Sequence, residues 1–214
     1  MKRLITSALL APLMAAPLFA LAAPVNLINN GSFESNVVGN GTWTTVSSTV
    51  GWTVGPNGLE IRNNVAGSAY VGSNFAELDT SANSWISQTL NTVAGQSYSL
   101  SFAYANRPDN LGAASNGLSW SIGSLTGTVG DNTDTSWATF ATTFTGTGSP
   151  MTLRFAAVGR SDGYGTSLDN IIVNTVNAGS NAGAVPEPQS LALMLAGLGA
   201  MGVVLRRRKT AGKA

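Results

Sequence analysis

Gln96-Ser97-Tyr98-Ser99-Leu100-Ser101-Phe102-Ala103-Tyr104 alternates without a break, with Tyr98, Leu100, Phe102 and Tyr104 on one side and small residues on the other. A period of two belongs to a β-strand, whose successive side chains point to opposite faces. The stretch therefore predicts a strand with its aromatic face inward. Leu118, Trp120 and Ile122 repeat the pattern, as do Met151, Leu153 and Phe155, while Phe140 and Phe144 share one face of a Thr-rich strand. Turn signals separate these runs: Asn30-Gly31, Asn40-Gly41, Asn57-Gly58, Ala94-Gly95 and Asn116-Gly117. No stretch shows a capped apolar stripe of helical period. Many short strands broken by turns predict an all-β fold, a β-sandwich of jelly-roll type.

The two ends are made of other material. Met1-Lys2-Arg3 precedes an apolar run, Leu4 to Leu21, and Ala20-Leu21-Ala22 is a small-x-small cleavage site. Residues 1–22 therefore read as a secretory signal peptide. The cut is placed after Ala22, since cutting after Ala23 would leave Pro24 at the scissile bond. Residues 23–176 form the predicted sandwich domain, and 177–184, rich in Asn, Gly, Ala and Ser, a flexible linker. At 185–209 come Val185-Pro186-Glu187-Pro188, an apolar run from Leu191 to Leu205, and the basic stop Arg206-Arg207-Arg208-Lys209. As a helix the run spans about 22 Å at 1.5 Å per residue. That is short of the roughly 30 Å hydrocarbon core, so residues 191–205 predict a short transmembrane helix that thins the bilayer or snorkels its flanks. The basic cluster of residues 206–209 stays cytoplasmic.

The whole-chain charge of +1 hides an uneven distribution. Seven of the eleven basic residues lie in the two ends, leaving Arg62, Arg107, Arg154 and Arg160 in the body, which has no lysine. Nine of the ten acids lie in the body, so its net charge is −5. Nucleic acid is excluded as a partner, because phosphate binding needs clustered Lys and Arg. The chain has neither cysteine nor histidine, which removes disulfides, most zinc sites and histidine-based triads.

Val185-Pro186-Glu187-Pro188, the Leu/Gly/Ala-rich helix and the Arg run resemble the PEP-CTERM sorting signal of Gram-negative bacteria. Gln189-Ser190 is a small departure from it. The resemblance implies an exosortase-type membrane protease as partner, transient anchoring in the inner membrane through the C-terminal helix, and a final place in the envelope, cell surface or exopolysaccharide matrix. The body carries a second resemblance. Asn26-Leu27-Ile28-Asn29-Asn30-Gly31-Ser32-Phe33-Glu34 opens it, and Ser167-Leu168-Asp169-Asn170-Ile171-Ile172-Val173 closes it. Between them stand Phe75-Ala76-Glu77-Leu78-Asp79, Ile86-Ser87-Gln88-Thr89-Leu90 and Val93 to Phe102. This ordered set is similar to galactose-binding-like jelly rolls, including choice-of-anchor domains and several carbohydrate-binding modules. In that group the opening and closing segments lie side by side, and their carboxylates often hold a structural calcium. Carried over, this points to Glu34 and Asp169 as metal ligands. Calcium prefers hard oxygen donors but needs six to eight of them, and both residues also read as simple turn residues.

A sugar site needs aromatic faces to stack on and a few polar groups to fix hydroxyls. The body holds all five tryptophans; Trp120 reads as core, and Trp85 as core or rim. Trp43 and Trp52 flank a polar stretch, and Arg107 follows Asn106 at a strand end. Loop ends of a sandwich collect binding groups, so Trp52, Tyr70, Asn106, Arg107 and Trp43 are the candidates for polysaccharide, each with a bland packing alternative. Glu77 and Asp79, two apart on a predicted strand, share a face as a glycosidase pair would, but no nucleophile motif accompanies them and no catalytic residue is assigned. Thr139, Thr142, Thr143, Thr145 and Thr147 raise ice adsorption as a weaker idea. Two readings stand: a non-catalytic carbohydrate-binding module in an exopolysaccharide or biofilm matrix, and a structural surface protein with no specific ligand.

Overall fold

The computed structural model describes residues 24–109, 114–130 and 134–176. The expected signal peptide, linker, sorting motif, transmembrane helix and basic stop lie outside the described residues. Within them the chain forms eleven strands and no helix: β1 (Thr42–Val46), β2 (Thr53–Val54), β3 (Leu59–Asn63), β4 (Phe75–Glu77), β5 (Trp85–Asn91), β6 (Ser97–Ala105), β7 (Leu118–Ile122), β8 (Leu125–Val129), β9 (Ala138–Thr145), β10 (Pro150–Ala157) and β11 (Ser167–Thr175). They build two antiparallel sheets, a six-stranded one in the order β1-β3-β4-β11-β6-β9 and a five-stranded one in the order β2-β5-β10-β7-β8. The architecture is the all-β jelly-roll sandwich that the alternation predicts.

Packing follows from the period of two. In β6, Tyr98, Leu100 and Phe102 are buried, and Ser97, Ser99 and Ser101 turn away. Leu118, Trp120 and Ile122 of β7 and Met151, Leu153 and Phe155 of β10 meet them from the other sheet. Phe102 is the keystone, since its ring lies 5.1 Å from Phe140 and 5.0 Å edge-on from Phe155. Phe140 in turn sits 4.9 Å from Trp120. Such offset and edge-to-face pairs add to burial of apolar area, which is the main driving term.

The turn signals also hold. Gly41, Gly58 and Gly95 adopt positive φ values of 73°, 85° and 77°, where a glycine carries no Cβ penalty. The opening and closing segments lie side by side: Leu27 N–H donates to Val173 O at 2.8 Å, and Ile171 N–H to Gly31 O at 3.0 Å. A Cβ on Gly31 would stand 2.1 Å from the Ile171 carbonyl oxygen, so that turn fits only as glycine. Opposite it, β11 carries a register shift between Asp169 and Ile172, and Asn170 has φ of 50°. Asp169 itself faces away from the core by alternation with the inward Leu168, and the bulge after it returns Ile171 to the core.

Candidate functional site

One face of the six-stranded sheet packs on the core. On the other, cross-strand register aligns Trp43, Arg62 and Phe75 in one row and Thr45, Glu60, Glu77, Ser167 and Ala105 in the next. Such outward residues are normally solvated. Here Arg62 is 1% exposed and Glu77 0%. The connections β3–β4 and β10–β11 fold back over this end of the sheet, and carboxylates hold them there. Asp169 Oδ2 accepts from Tyr70 N–H at 2.8 Å and Val71 N–H at 3.0 Å, and its Oδ1 from Asn170 N–H at 2.6 Å. Glu34 Oε1 accepts from Ser73 N–H at 2.9 Å and Asn74 N–H at 2.7 Å. Asp79 Oδ2 does the same for Asp162 and Gly163.

Beneath the clamped loops lies an ionic cluster. Arg62 Nε donates to Glu60 Oε1 at 2.5 Å, and its Nη2 lies 2.5 Å from Glu77 Oε2. Arg107 reaches Glu77 at 3.5 Å, Asp109 at 2.8 Å and the Gly163 carbonyl at 3.2 Å. Its guanidinium also lies 4.7 Å from the centre of the Tyr164 ring. Arg62 Nη1 is buried with no hydrogen-bond partner. Above this cluster opens a hollow of about 290 Å³ lined by Trp43, Glu60, Arg62, Arg107, Asp162 and Tyr164 among others. Trp43 is 56% and Tyr164 41% exposed. Two accessible aromatic rings thus border a floor of buried charge.

Burial raises the Glu77 carboxyl from 4.5 to about 8, against the pull of Arg62 and Arg107 and with a further push from Glu60. Burial likewise raises Asp169 from 3.8 to about 6, opposed by the amides of Val71, Asn170 and Tyr70, with Glu34 adding to the rise. Both groups hold protons in the folded state that the unfolded chain has already released. Stability contributed this way is complete below the unfolded values and is lost as pH climbs through the folded ones. The melting temperature should therefore fall as pH rises from 4 to about 8, the later part of the decline belonging to Glu77. Glu77→Gln should flatten that part, and an unchanged slope in the variant would remove Glu77 as its source.

The sequence candidates divide. Trp43 and Arg107 line one hollow. Tyr70 lies elsewhere, its ring 5.9 Å edge-on from Trp137. Asn106 is 2% exposed, donates to the Asp134 carbonyl at 3.0 Å, and borders a neighbouring cavity of about 160 Å³ with Phe75 and Trp137. Trp52 is a correction. It is 5% exposed, packs between Phe33 and Phe155, and donates its indole N–H to Asn30 O at 3.0 Å, so it offers no face to a ligand. The alternation around it is too short to reveal this, because β2 has only two residues. The sequence reading missed Glu60, Arg62 and Tyr164. In β3, Leu59 and Ile61 advertise the core face, which makes Glu60 and Arg62 look solvated.

Glu34 and Asp169 do approach each other, but their donor set does not fit a calcium ion. Three of their oxygens are already aimed at by five backbone N–H groups, which place positive charge where a cation would sit. Among the described residues no group of three or more His, Cys, Asp or Glu is arranged to hold a metal. Glu77 and Asp79 are both fully buried, one committed to arginines and the other to backbone amides.

Among solved structures, the chain is similar to the enzymatically active domain of bacteriophage CBA120 tailspike protein 4, at 16% identity and a TM-score of 0.47, covering 71% of this chain and 21% of that one. It is also similar to TmCBM61 in complex with beta-1,4-galactotriose, at 15% identity and a TM-score of 0.45, covering 71% and 99% of the two chains. A third is CBM35 from Paenibacillus barcinonensis, at 19% identity and a TM-score of 0.40, covering 62% and 98%. No curated protein matches the chain. Residues 184–209 match the PEP-CTERM protein-sorting motif, which marks a secreted protein destined for the cell surface and processed by an exosortase. Residues 26–174, the whole sandwich, match DUF642, and the chain belongs to this family of proteins of unknown function.

Proposed function

We propose that the protein is an exported, non-catalytic carbohydrate-binding module that lodges in exopolysaccharide or biofilm matrix after sorting, with its glycan held in the hollow between Trp43 and Tyr164. The observation that carries this reading is the pairing of two exposed rings with a buried guanidinium whose Nη1 has no partner. Sugar rings present apolar C–H faces that stack on aromatics, and hydroxyls that take hydrogen bonds from fixed polar groups. Trp43 supplies an open face at the sheet edge. Arg107, braced by Glu77, Asp109 and Tyr164, presents a rigid guanidinium beside it. The loops over the sheet are clamped by Glu34, Asp79 and Asp169, so little ordering remains to be done on binding.

The test is titration of the purified full chain with a panel of soluble polysaccharides, alongside Trp43→Ala. The expected result is saturable binding to at least one neutral glycan that weakens about tenfold in Trp43→Ala, a loss of about 1.4 kcal/mol for one stacking contact. Because Trp43 is 56% exposed on an edge strand, the variant should keep its melting temperature. No binding to any glycan would leave the second reading, a structural surface protein whose Ser/Thr/Asn/Gly-rich face is a solvated coat.

A further inference from the structure

The outer face of the five-stranded sheet is built differently. Register places Thr53, Ser87, Arg154, Ser121 and Thr126 in one row across its five strands. Trp85, Ala156, Ser119 and Thr128 form the next row. Outward-facing strand positions on solvated sheets usually mix both signs of charge. Here hydroxyls dominate, and Arg154 is the one charged residue in the two rows. Its guanidinium lies 4.9 Å from the centre of the Trp85 ring. Gly55 lies against that indole, where a Cβ would stand 2.9 Å from Trp85 Cδ1 and Nε1, so the close approach needs glycine there. Ion pairs among the described residues engage Arg62 and Arg107, and Arg154 has none. Beside it lies a hollow of about 360 Å³ whose lining includes Ser119, Trp120, Ser121, Thr126, Gly127 and Arg154.

Stacking on an indole uses the face of a guanidinium and leaves its five N–H donors free in the plane. Such a fork matches the two oxygens of a carboxylate. An arginine that is exposed, held in place and unpaired, in a body that carries nine acids and four basic residues, is otherwise poorly explained. We propose that this face is a second glycan site, specific for saccharides bearing a carboxylate: Arg154 takes the carboxylate and the Ser/Thr rows take the ring hydroxyls. The site is on the opposite sheet from the Trp43 hollow, so one molecule engages two polysaccharide chains.

Alginate, a polyuronate, serves as the probe, with the same polymer after reduction of its carboxyl groups as the neutral control. The full chain, Arg154→Gln, Arg154→Lys and Trp43→Ala are titrated with each polymer and with free glucuronate. Arg154 is exposed, so Arg154→Gln should retain the wild-type melting temperature. The expected result is saturable alginate binding weakened at least tenfold by Arg154→Gln, little changed by Trp43→Ala, and only partly retained in Arg154→Lys, which keeps the charge without the fork. Equal alginate binding by wild type and Arg154→Gln overturns the proposal, as does alginate binding lost only in Trp43→Ala. Absence of alginate binding, or binding no stronger than that of free glucuronate, overturns it as well. Because neutral-glycan binding is read separately through Trp43→Ala, failure here and failure of the Trp43 site are distinguishable.

Discussion

Asp169→Ala should destabilise the domain by about 3–5 kcal/mol, whether calcium or a chelator is present. The carboxylate is buried and accepts three backbone N–H groups, those of Tyr70, Val71 and Asn170. A buried donor left without a partner costs about 1–3 kcal/mol. Three such donors set an upper range that loop relaxation and entering water reduce. Asn170 stays at a φ of 50° only while the turn around it is held, so the bulge of β11 should loosen too. Asp169→Asn separates charge from geometry. Its carbonyl oxygen can still serve Tyr70 and Val71, but its amide then meets the Asn170 N–H, donor against donor, and part of the stability is lost. Denaturant unfolding of the three proteins, each with calcium and with chelator, provides the check. A chelator that lowered the wild-type midpoint would restore the calcium reading of Glu34 and Asp169 and remove the clamp.

Arg62→Ala should cost about as much, 3–5 kcal/mol, because breaking a buried ion pair strands the remaining charges. Glu60 is 7% and Glu77 0% exposed, and both turn their oxygens toward Arg62. The loss should depend on pH in a definite direction. Arg62 is the strongest pull holding Glu77 down to about 8, so its loss raises that carboxyl further, and above the raised value the variant must carry an uncompensated buried carboxylate. Below that value Glu77 holds a proton, and the gap between variant and wild type should narrow. Arg62→Lys should recover little, since a single ammonium cannot address Glu60 through Nε and Glu77 through Nη2 at once. Unfolding midpoints at pH 4, 6 and 8 measure this, and a gap that widened toward acid would refute the arrangement. Glycan titration of the same variants adds a second readout, because Arg62 is part of the floor beneath Trp43.

The two experiments probe one construction. Loops that cross the outer face of the six-stranded sheet bury its polar side chains, and carboxylates from distant parts of the chain hold those loops. Glu34 is 39 residues before Ser73, and Asp169 is 99 after Tyr70. The site hollow inherits its shape from these ties.

What the sequence determined alone is what depends on local period and local turn chemistry. Tyr98, Leu100 and Phe102 must share a face, since side chains alternate along any strand, and burying that face fixes the core. Gly41, Gly58 and Gly95 mark where the chain reverses. The sorting motif is contiguous and therefore legible at residues 184–209. Only the tertiary structure decided the rest. Alternation says that Glu60, Arg62 and Glu77 point away from the core, but not that loops would cover them. It cannot say that Trp52, beside a two-residue strand, turns into the core, or that Trp43 and Tyr164, far apart in the chain, border one hollow. Those outcomes rest on contacts between residues far apart in sequence, and no local pattern encodes the distance between them.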